Sequence, residues 1–111
     1  MESAMTLDEF QRAIDEWISQ YDEGYWPPLA NLARLTEEVG ELSREINHRF
    51  GPKKKKSDED PGTIEQELGD ILFTVGTIAN SLGIDLSEVA ADTLTKVTKR
   101  DDDRWVKKTE T

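Results

Sequence analysis

Two acidic segments carry the pattern that decides the fold of this chain: Glu-Glu-Val-Gly-Glu at residues 37–41 and Glu-Gln-Glu-Leu-Gly-Asp at residues 65–70. Each segment contains two carboxylates that are three residues apart. The two pairs are Glu38 with Glu41 and Glu67 with Asp70. On a helix, this spacing places both side chains of a pair on one face, one turn apart. The segments therefore predict two helices, each with an acidic pair on one face.

Apolar residues recur at helical spacing beside each acidic pair. At about 100° per residue, the apolar stripe begins roughly 40° from the first acid of the pair. The stripe residues are Leu35, Val39, Leu42 and Ile46 in the first of these helices and Ile64, Leu68, Ile71, Val75, Ile78 and Leu82 in the second. If the helices pack antiparallel through these stripes, four carboxylates converge at one edge of the contact. Their repulsion would be relieved by protonation or by a bound divalent cation.

The global composition limits the classes of protein to which such a site can belong. The 111 residues predict one domain, and the absence of cysteine excludes disulfides and thiol chemistry. A net charge of -10 argues against nonspecific binding to nucleic acid or to an anionic membrane. Charged residues such as Asp8, Glu9 and Arg12 argue against a signal peptide, and no apolar run approaches membrane-spanning length. We therefore expect a cytoplasmic protein.

Capping and helix-breaking residues divide residues 1–111 into four helices within one all-α domain. The helices are predicted over residues 7 to about 20, about 28–49, 64 to about 82, and from 86 onward. Their N-terminal signals are Thr6 with Glu9, Pro28, Thr63 with Gln66, and Asp85 with Glu88. The lysine-rich segment 51–62 is predicted to be a mobile surface loop, and residues 106–111 a disordered tail.

The residue types of the acidic edge predict the kind of metal that it binds. An all-oxygen donor set suits Mg²⁺ or Mn²⁺. Lys96 and Arg100, one turn apart in the fourth helix, can hold phosphate charge that the metal leaves uncompensated, although basic residues at a helix C-terminus also have a purely structural explanation. Tyr25 and Trp26 precede the second helix, where they either pack or offer a stacking surface to a flat ligand.

The two motifs, their order and their flanking residues resemble the metal-binding signature of the MazG-like nucleotide pyrophosphohydrolases, members of the all-α NTP pyrophosphatase superfamily. The similar segments are Leu-Thr-Glu-Glu-Val-Gly-Glu-Leu at 35–42, Glu-Leu-Gly-Asp-Ile-Leu-Phe at 67–73 and Ala-Asn-Ser-Leu-Gly-Ile-Asp-Leu at 79–86. The similarity extends over about residues 6–105. It implies an all-α homo-oligomer, a dimer or tetramer, that hydrolyses nucleoside triphosphates to the monophosphate and pyrophosphate with Mg²⁺, as in housecleaning of the nucleotide pool.

The resemblance also implies roles for individual residues. The ligands of Mg²⁺, one of which instead acts on the attacking water, would be Glu38, Glu41, Glu67 and Asp70. Lys96 and Arg100 match basic positions that contact phosphates. For the nucleoside, the candidates are Trp17, Tyr25, Trp26 and Asn80. Some relatives have asparagine where this chain has Thr77, so the equivalence of Asn80 is open.

Two other functions are compatible with the same residues. Glu45-x-x-His48 is the motif of a carboxylate-bridged di-iron bundle, and a dimer would supply it twice. Glu45 also falls on the helical face between Glu38 and Glu41, where it can be an additional ligand. The second alternative is a non-enzymatic helical dimerisation module in which the acidic edge is only surface charge.

Overall fold

The computed structural model describes residues 3–52 and 62–109, and these form four α-helices without a strand. The helices are α1 Leu7–Ile18, α2 Pro28–Phe50, α3 Ile64–Ser81 and α4 Leu86–Arg100. The all-α prediction is confirmed, and each predicted helix is found within about two residues of its expected ends. Most of the predicted loop 51–62 lies outside the described residues, as does the end of the predicted tail 106–111.

Side-chain caps start three of the helices. Thr6 and Glu9 form a reciprocal capping box at the start of α1, with hydrogen bonds of 3.1 and 2.8 Å. Thr63 and Gln66 do the same at the start of α3. These boxes satisfy backbone N–H groups that have no partner within the helix. The α4 cap differs from the predicted box, because the Asp85 carboxylate accepts from the backbone N–H of Ser87 at 2.9 Å.

Helices α2 and α3 pack antiparallel, which is the arrangement in which the sequence predicts that the four acids converge. Near the start of α2, the guanidinium carbon of Arg34 lies 5.5 Å from the ring centroid of Phe73, in the second half of α3. The two acidic pairs meet in the middle of the contact. Near the end of α2, a Cβ built on Gly62, just before α3, would lie 3.5 Å from Oε2 of Glu45. Residue numbers therefore rise along α2 as they fall along α3.

Helix α1 packs on α3 at a glycine. A Cβ on Gly76 would lie 2.6 Å from Cδ1 of Ile14, so only glycine allows the two helices to approach this closely. At the far end of the same contact, the Gln11 side chain donates to the carbonyl of Ile84 at 2.8 Å and accepts from the backbone N–H of Leu86 at 2.8 Å. This one amide therefore fixes the turn into α4 against α1. None of the described helices is long and apolar enough to cross a bilayer.

The core of the chain is small. Among the described hydrophobic residues, only Ile14, Ile18 and Ala79 are buried. Much of the predicted apolar stripe remains accessible, with Leu68 51% and Leu82 53% exposed. In a single chain, α2 and α3 therefore cover only part of each other's apolar face, and α4 packs on α1.

Candidate metal centre and adjoining aromatic cavity

The two acidic pairs form one cluster between α2 and α3. Each residue offers one carboxylate oxygen, and these four oxygens all lie within 4.8 Å of one another. The four residues are Glu38, Glu41, Glu67 and Asp70. The cluster forms because three-residue spacing puts each pair on one helical face and the antiparallel register brings the faces together. The convergence predicted from the sequence is thus present in the structure.

Two oxygens of the cluster are buried without a hydrogen-bond donor. Among the described residues, Oε2 of Glu38 and Oε2 of Glu67 have no hydrogen-bond partner. A buried carboxylate oxygen normally accepts at least one hydrogen bond, because an unpaired buried charge is costly. An oxygen that is left without a donor beside three other carboxylates is what a cation-binding site requires.

The charge of the cluster is visible in the pKa values of its two least exposed members. Burial raises the pKa of Glu67 above its ordinary value of 4.5, and a hydrogen bond with the Glu41 carboxyl and the charges of neighbouring acids raise it further. Burial likewise raises the pKa of Glu38, as do the charges of Glu41 and Asp70, while Arg34 lowers it. The carboxyls therefore hold protons more strongly than they would in water.

The donor set fits a hard divalent cation. It consists of carboxylate oxygens from two helices, with Glu41 and Asp70 open to solvent and Glu67 buried. Mg²⁺ and Mn²⁺ prefer oxygen ligands and retain positions for water or substrate, which the exposed side of the cluster leaves accessible. His48 is not part of this set among the described residues. A fifth acid, Glu45, is buried next to the cluster, where its carboxylate and that of Glu67 both face Gly62.

An aromatic cavity of about 280 Å³ opens beside the cluster. Three of the four predicted nucleoside-binding residues, Trp17, Tyr25 and Trp26, line it. Trp17 packs edge-on against Phe73 with the ring centroids 5.9 Å apart. The Tyr25 hydroxyl donates to the Asp15 carboxylate at 2.6 Å; burial, together with this bond, raises the pKa of Tyr25 to about 12. The tyrosine is therefore a neutral wall of the cavity.

The fourth candidate, Asn80, does not line this cavity. Its side-chain oxygen accepts from Nε2 of Gln11 at 2.9 Å, and its Nδ2 donates to the Gln11 carbonyl at 2.8 Å. It thus ties α3 to α1 in the same polar junction that fixes the start of α4. Thr77, about one helical turn before Asn80 on α3, lines the cavity instead. Its hydroxyl donates to the Phe73 carbonyl at 2.9 Å.

The basic candidates lie on α4, apart from the acids. In the described part of the chain, neither Lys96 nor Arg100 forms an ion pair with the cluster. Arg100 instead pairs with Asp101, its Nε 3.0 Å from Oδ1. Helix α4 has no buried residue. One chain therefore assembles the acids and the aromatic cavity but does not bring the basic pair to them.

Sequence reasoning missed three residues that join the cavity to the cluster: Asn31, Arg34 and Phe73. Their signal was helical spacing, since Arg34 precedes Glu38 by one turn and Phe73 follows Asp70 by one turn on the same faces. Asn31, one turn before Arg34, is only 1% exposed, and its Nδ2 makes a long 3.4 Å contact to the Trp26 carbonyl.

Four helices, a carboxylate cluster between α2 and α3 and an adjoining aromatic cavity define a class of all-α proteins with a candidate metal site. Within that class, the MazG nucleotide pyrophosphohydrolase domain matches residues 27–105, and the chain belongs to this family. The resemblance noted in the sequence is thereby confirmed.

Individual relatives agree with the family. The uncharacterized protein YpjD of Bacillus subtilis is 49% identical over 108 residues, covering 97% of each chain. The crystal structure of YpjD superposes with a TM-score of 0.75 at 48% identity, covering 86% of this chain and 97% of that one. A Bacillus-conserved MazG protein, described as a nucleotide pyrophosphohydrolase, gives a TM-score of 0.72 at 44% identity, with coverage of 86% and 91%.

Proposed function

We propose that this protein is a Mg²⁺-dependent nucleoside triphosphate pyrophosphohydrolase. It would hydrolyse a ribo- or deoxynucleoside triphosphate to the corresponding monophosphate and pyrophosphate, and so remove nucleotides from the cytoplasmic pool. The observation that carries the proposal is the cluster of four carboxylate oxygens within 4.8 Å of one another, two residues of which have a buried oxygen without a donor. Family membership supports the same reaction class. The dimerisation-module alternative does not explain why buried carboxylate oxygens converge.

The four clustered carboxylates would hold Mg²⁺. When bound, the cation neutralises triphosphate charge and polarises the phosphate oxygens. One carboxylate of the cluster orients the attacking water and accepts its proton, for which its raised pKa is suited. The water oxygen forms a bond to one of the two phosphorus atoms that share the α–β bridging oxygen, and the bond from that phosphorus to the bridging oxygen breaks. The group that keeps the bridging oxygen leaves with the electron pair of that bond: pyrophosphate when the α-phosphorus is attacked, and the nucleoside monophosphate when the β-phosphorus is attacked.

The aromatic cavity is the proposed site of the base. Flat bases stack on aromatic faces, and Trp17, Tyr25 and Trp26 supply such faces in the cavity. Asn31 and Thr77 are the polar groups in the cavity that are suited to read a base edge. The side chain of Asn80 is hydrogen-bonded to Gln11, so Asn80 would influence base binding only indirectly, by supporting the wall of the cavity.

Lys96 and Arg100 are the proposed contacts to the phosphates. Because they lie apart from the acids of their own chain, we propose that they reach the acids of a second copy. Exposed apolar residues on α2 and α3 form a surface that a dimer or tetramer would cover. They include Leu29, Leu32, Val39, Phe50, Leu68 and Leu72. A homo-oligomer in which α4 of one copy reaches the acids of another completes the site.

Hydrolysis of the eight common ribo- and deoxynucleoside triphosphates, with and without Mg²⁺, tests the reaction. Pyrophosphate and orthophosphate are measured separately, and the nucleotide product is identified. We expect metal-dependent pyrophosphate in equal amount to monophosphate for at least one substrate. Orthophosphate with nucleoside diphosphate would mean that a different bond breaks, and absence of turnover with the whole panel would overturn the proposed function.

A further inference from the structure

Arg34 lies at the boundary between the aromatic cavity and the acid cluster. Its guanidinium carbon is 5.8 Å from the Trp26 ring and 5.5 Å from the Phe73 ring, so two walls of the cavity flank it. On its other side, Nε is 3.9 Å from Oε1 of Glu38, a member of the cluster. Any elongated ligand that occupies both the cavity and the cluster must pass this side chain.

The hydrogen-bonding capacity of Arg34 is unused in the described part of the chain. The 3.9 Å contact with Glu38 is an ion pair but exceeds hydrogen-bond length, and the guanidinium donates no hydrogen bond to any described residue. By contrast, Arg12 and Arg100 each hydrogen-bond to a carboxylate in their own neighbourhood. Arg34 is held in place by rings and by charge while its five N–H donors stay available.

We propose that Arg34 binds the phosphate attached to the sugar of a nucleotide whose base occupies the aromatic cavity. This inference rests on the proposed function for the identity of the ligand. A guanidinium presents parallel N–H donors that match phosphate oxygens, and cation–π contacts with two rings preorganise it. The phosphate next to the sugar is the one that must lie between the cavity and the cluster, because the scissile bond adjoins it. Arg34 thus positions that bond against the acids.

The rival explanation is that Arg34 only offsets the negative charge of Glu38. That role predicts an effect on cation binding, because removing Arg34 would alter the charge and the pKa of a metal ligand. Contact with phosphate instead predicts an effect that depends on whether the ligand carries a phosphate. The two explanations are separated by measuring nucleoside, nucleotide and metal binding independently of turnover.

The experiment titrates the full chain, in the presence of Mg²⁺, with nucleosides and their 5′-monophosphates: adenosine, guanosine, cytidine, uridine and thymidine. Binding is followed through the indole N–H signals of Trp17 and Trp26 by NMR, with the exposed Trp105 as an internal reference. The variants are Arg34→Gln and Arg34→Lys. Arg12→Gln is the matched control, since it removes the same charge from an exposed position on α1. Mn²⁺ affinity is measured on each variant by electron paramagnetic resonance.

For at least one base, we expect the wild-type protein to bind the monophosphate about 10- to 100-fold more tightly than the nucleoside, the range for a hydrogen-bonded ion contact. Arg34→Gln should remove most of this difference, Arg34→Lys should keep part of it, and Arg12→Gln should keep all of it. The Mn²⁺ affinities set a Mg²⁺ concentration that saturates every variant, so that a change in metal binding near Glu38 does not enter the comparison. An unchanged difference in Arg34→Gln or no difference in wild type would each overturn the proposal.

The two proposals can fail separately. A wild-type protein that binds monophosphates through Arg34 but hydrolyses no triphosphate would overturn the proposed reaction and leave the Arg34 assignment in place. A protein that hydrolyses triphosphates with Arg34→Gln as efficiently as with the wild-type residue would do the reverse.

Discussion

The α2–α3 contact and helix α4 both carry charged residues, but they differ in how deeply those residues are buried and in how they are paired. Between α2 and α3, the acids are packed so tightly that Glu67 is buried, and one oxygen each of Glu38 and Glu67 has no donor among the described residues. Helix α4 carries basic residues, yet none of its residues is buried, and Arg100 is neutralised by the adjacent Asp101. The acidic half of the proposed site is therefore complete within one chain, whereas the basic half is unpartnered by the acids. If α4 contacts the phosphates as proposed, it would therefore need a second surface that brings it to the acids.

The largest expected effect comes from the acidic half. Glu67→Gln keeps the size and the buried position of the side chain but removes a ligand and a proton acceptor, so we expect activity to fall by about 10²- to 10⁴-fold. The metal-free variant should unfold at a higher temperature than wild type, because repulsion in the cluster is lower. Turnover and thermal unfolding in EDTA measure the two effects.

Glu65→Gln is the matched control, because Glu65 lies on the same helix but is exposed and outside the cluster. It should retain activity. A Glu67→Gln protein with normal turnover would show that the cluster is surface charge rather than a catalytic centre.

The basic half should produce a smaller loss. Replacing Lys96 and Arg100 together by glutamine removes two contacts to phosphate, and we expect activity to fall about 10- to 100-fold with little change in stability, since α4 has no buried residue. Lys99→Gln, in the same turn of α4, is the control for charge alone and should be nearly normal.

Mixing two variants of low activity tests where α4 acts. If α4 completes the site of a second copy, Glu67→Gln chains mixed with the Lys96/Arg100 double variant regain about a quarter of wild-type activity in randomly formed dimers. Each mixed dimer then contains one intact acidic cluster that faces one intact α4. No recovery after subunit exchange would place the basic pair with the acids of its own chain.

Stability measurements sharpen the same contrast between a packed helix and an exposed one. Gly76→Ala on α3 should lower the free energy of unfolding by about 1–3 kcal/mol, because a Cβ would lie 2.6 Å from Ile14. Gly69→Ala, on the same helix with no atom within 4 Å, should instead gain up to about 1 kcal/mol from helix propensity. Denaturant unfolding of both variants makes the comparison.

Leu94→Ala is the counterpart on α4. Leu94 is 66% exposed in one chain, so the monomer should change by less than about 0.5 kcal/mol. A larger loss that grows with protein concentration would show that a second copy covers α4, because association stabilises by mass action.

Local rules explain why so much of the fold could be predicted. Capping boxes at Thr6 and Thr63 mark helix starts through residues that are three positions apart, so no distant partner is needed. The acidic pairs follow the same rule, since three-residue spacing places both acids of a pair on one helical face. The fold and the cluster therefore follow from short-range pattern plus one antiparallel contact.

What could not be predicted depends on partners distant in the chain. Leu68 and Leu82 lie on an apolar stripe, but a stripe does not specify what covers it, and both remain about half exposed. From the sequence, Asn80 is a polar side chain that is available to a ligand. In the structure, its amide is hydrogen-bonded to Gln11, which is 69 positions away in the chain. Helical spacing places Arg34 one turn before Glu38, but its position between the cavity and the cluster depends on the tertiary contacts with Trp26 and Phe73.

The smallest expected effect is the pH dependence of the metal-free protein. The pKa values of Glu38 and Glu67 are raised above 4.5 in the folded state, chiefly by burial, so in this range the folded protein binds more protons than the unfolded chain. Their contribution to stability is therefore fully present below pH 4.5 and is lost as the pH rises through the folded-state pKa values. Thermal unfolding in EDTA should show this loss as the pH is raised, on the order of a few degrees, since Glu38 is partly solvent-screened.

Mg²⁺ should reverse that loss, because the cation replaces the protons that the cluster gives up. The stabilisation by Mg²⁺ should therefore grow with pH in wild type and be smaller in Glu67→Gln, which has one carboxylate fewer to compensate. Other carboxyls titrate in the same range, and the difference between the two proteins, measured at each pH, removes their contribution. If Mg²⁺ stabilised both proteins equally at every pH, the unpaired oxygens between α2 and α3 would not be its ligands. The α2–α3 contact would then not be the metal-binding half of the proposed site.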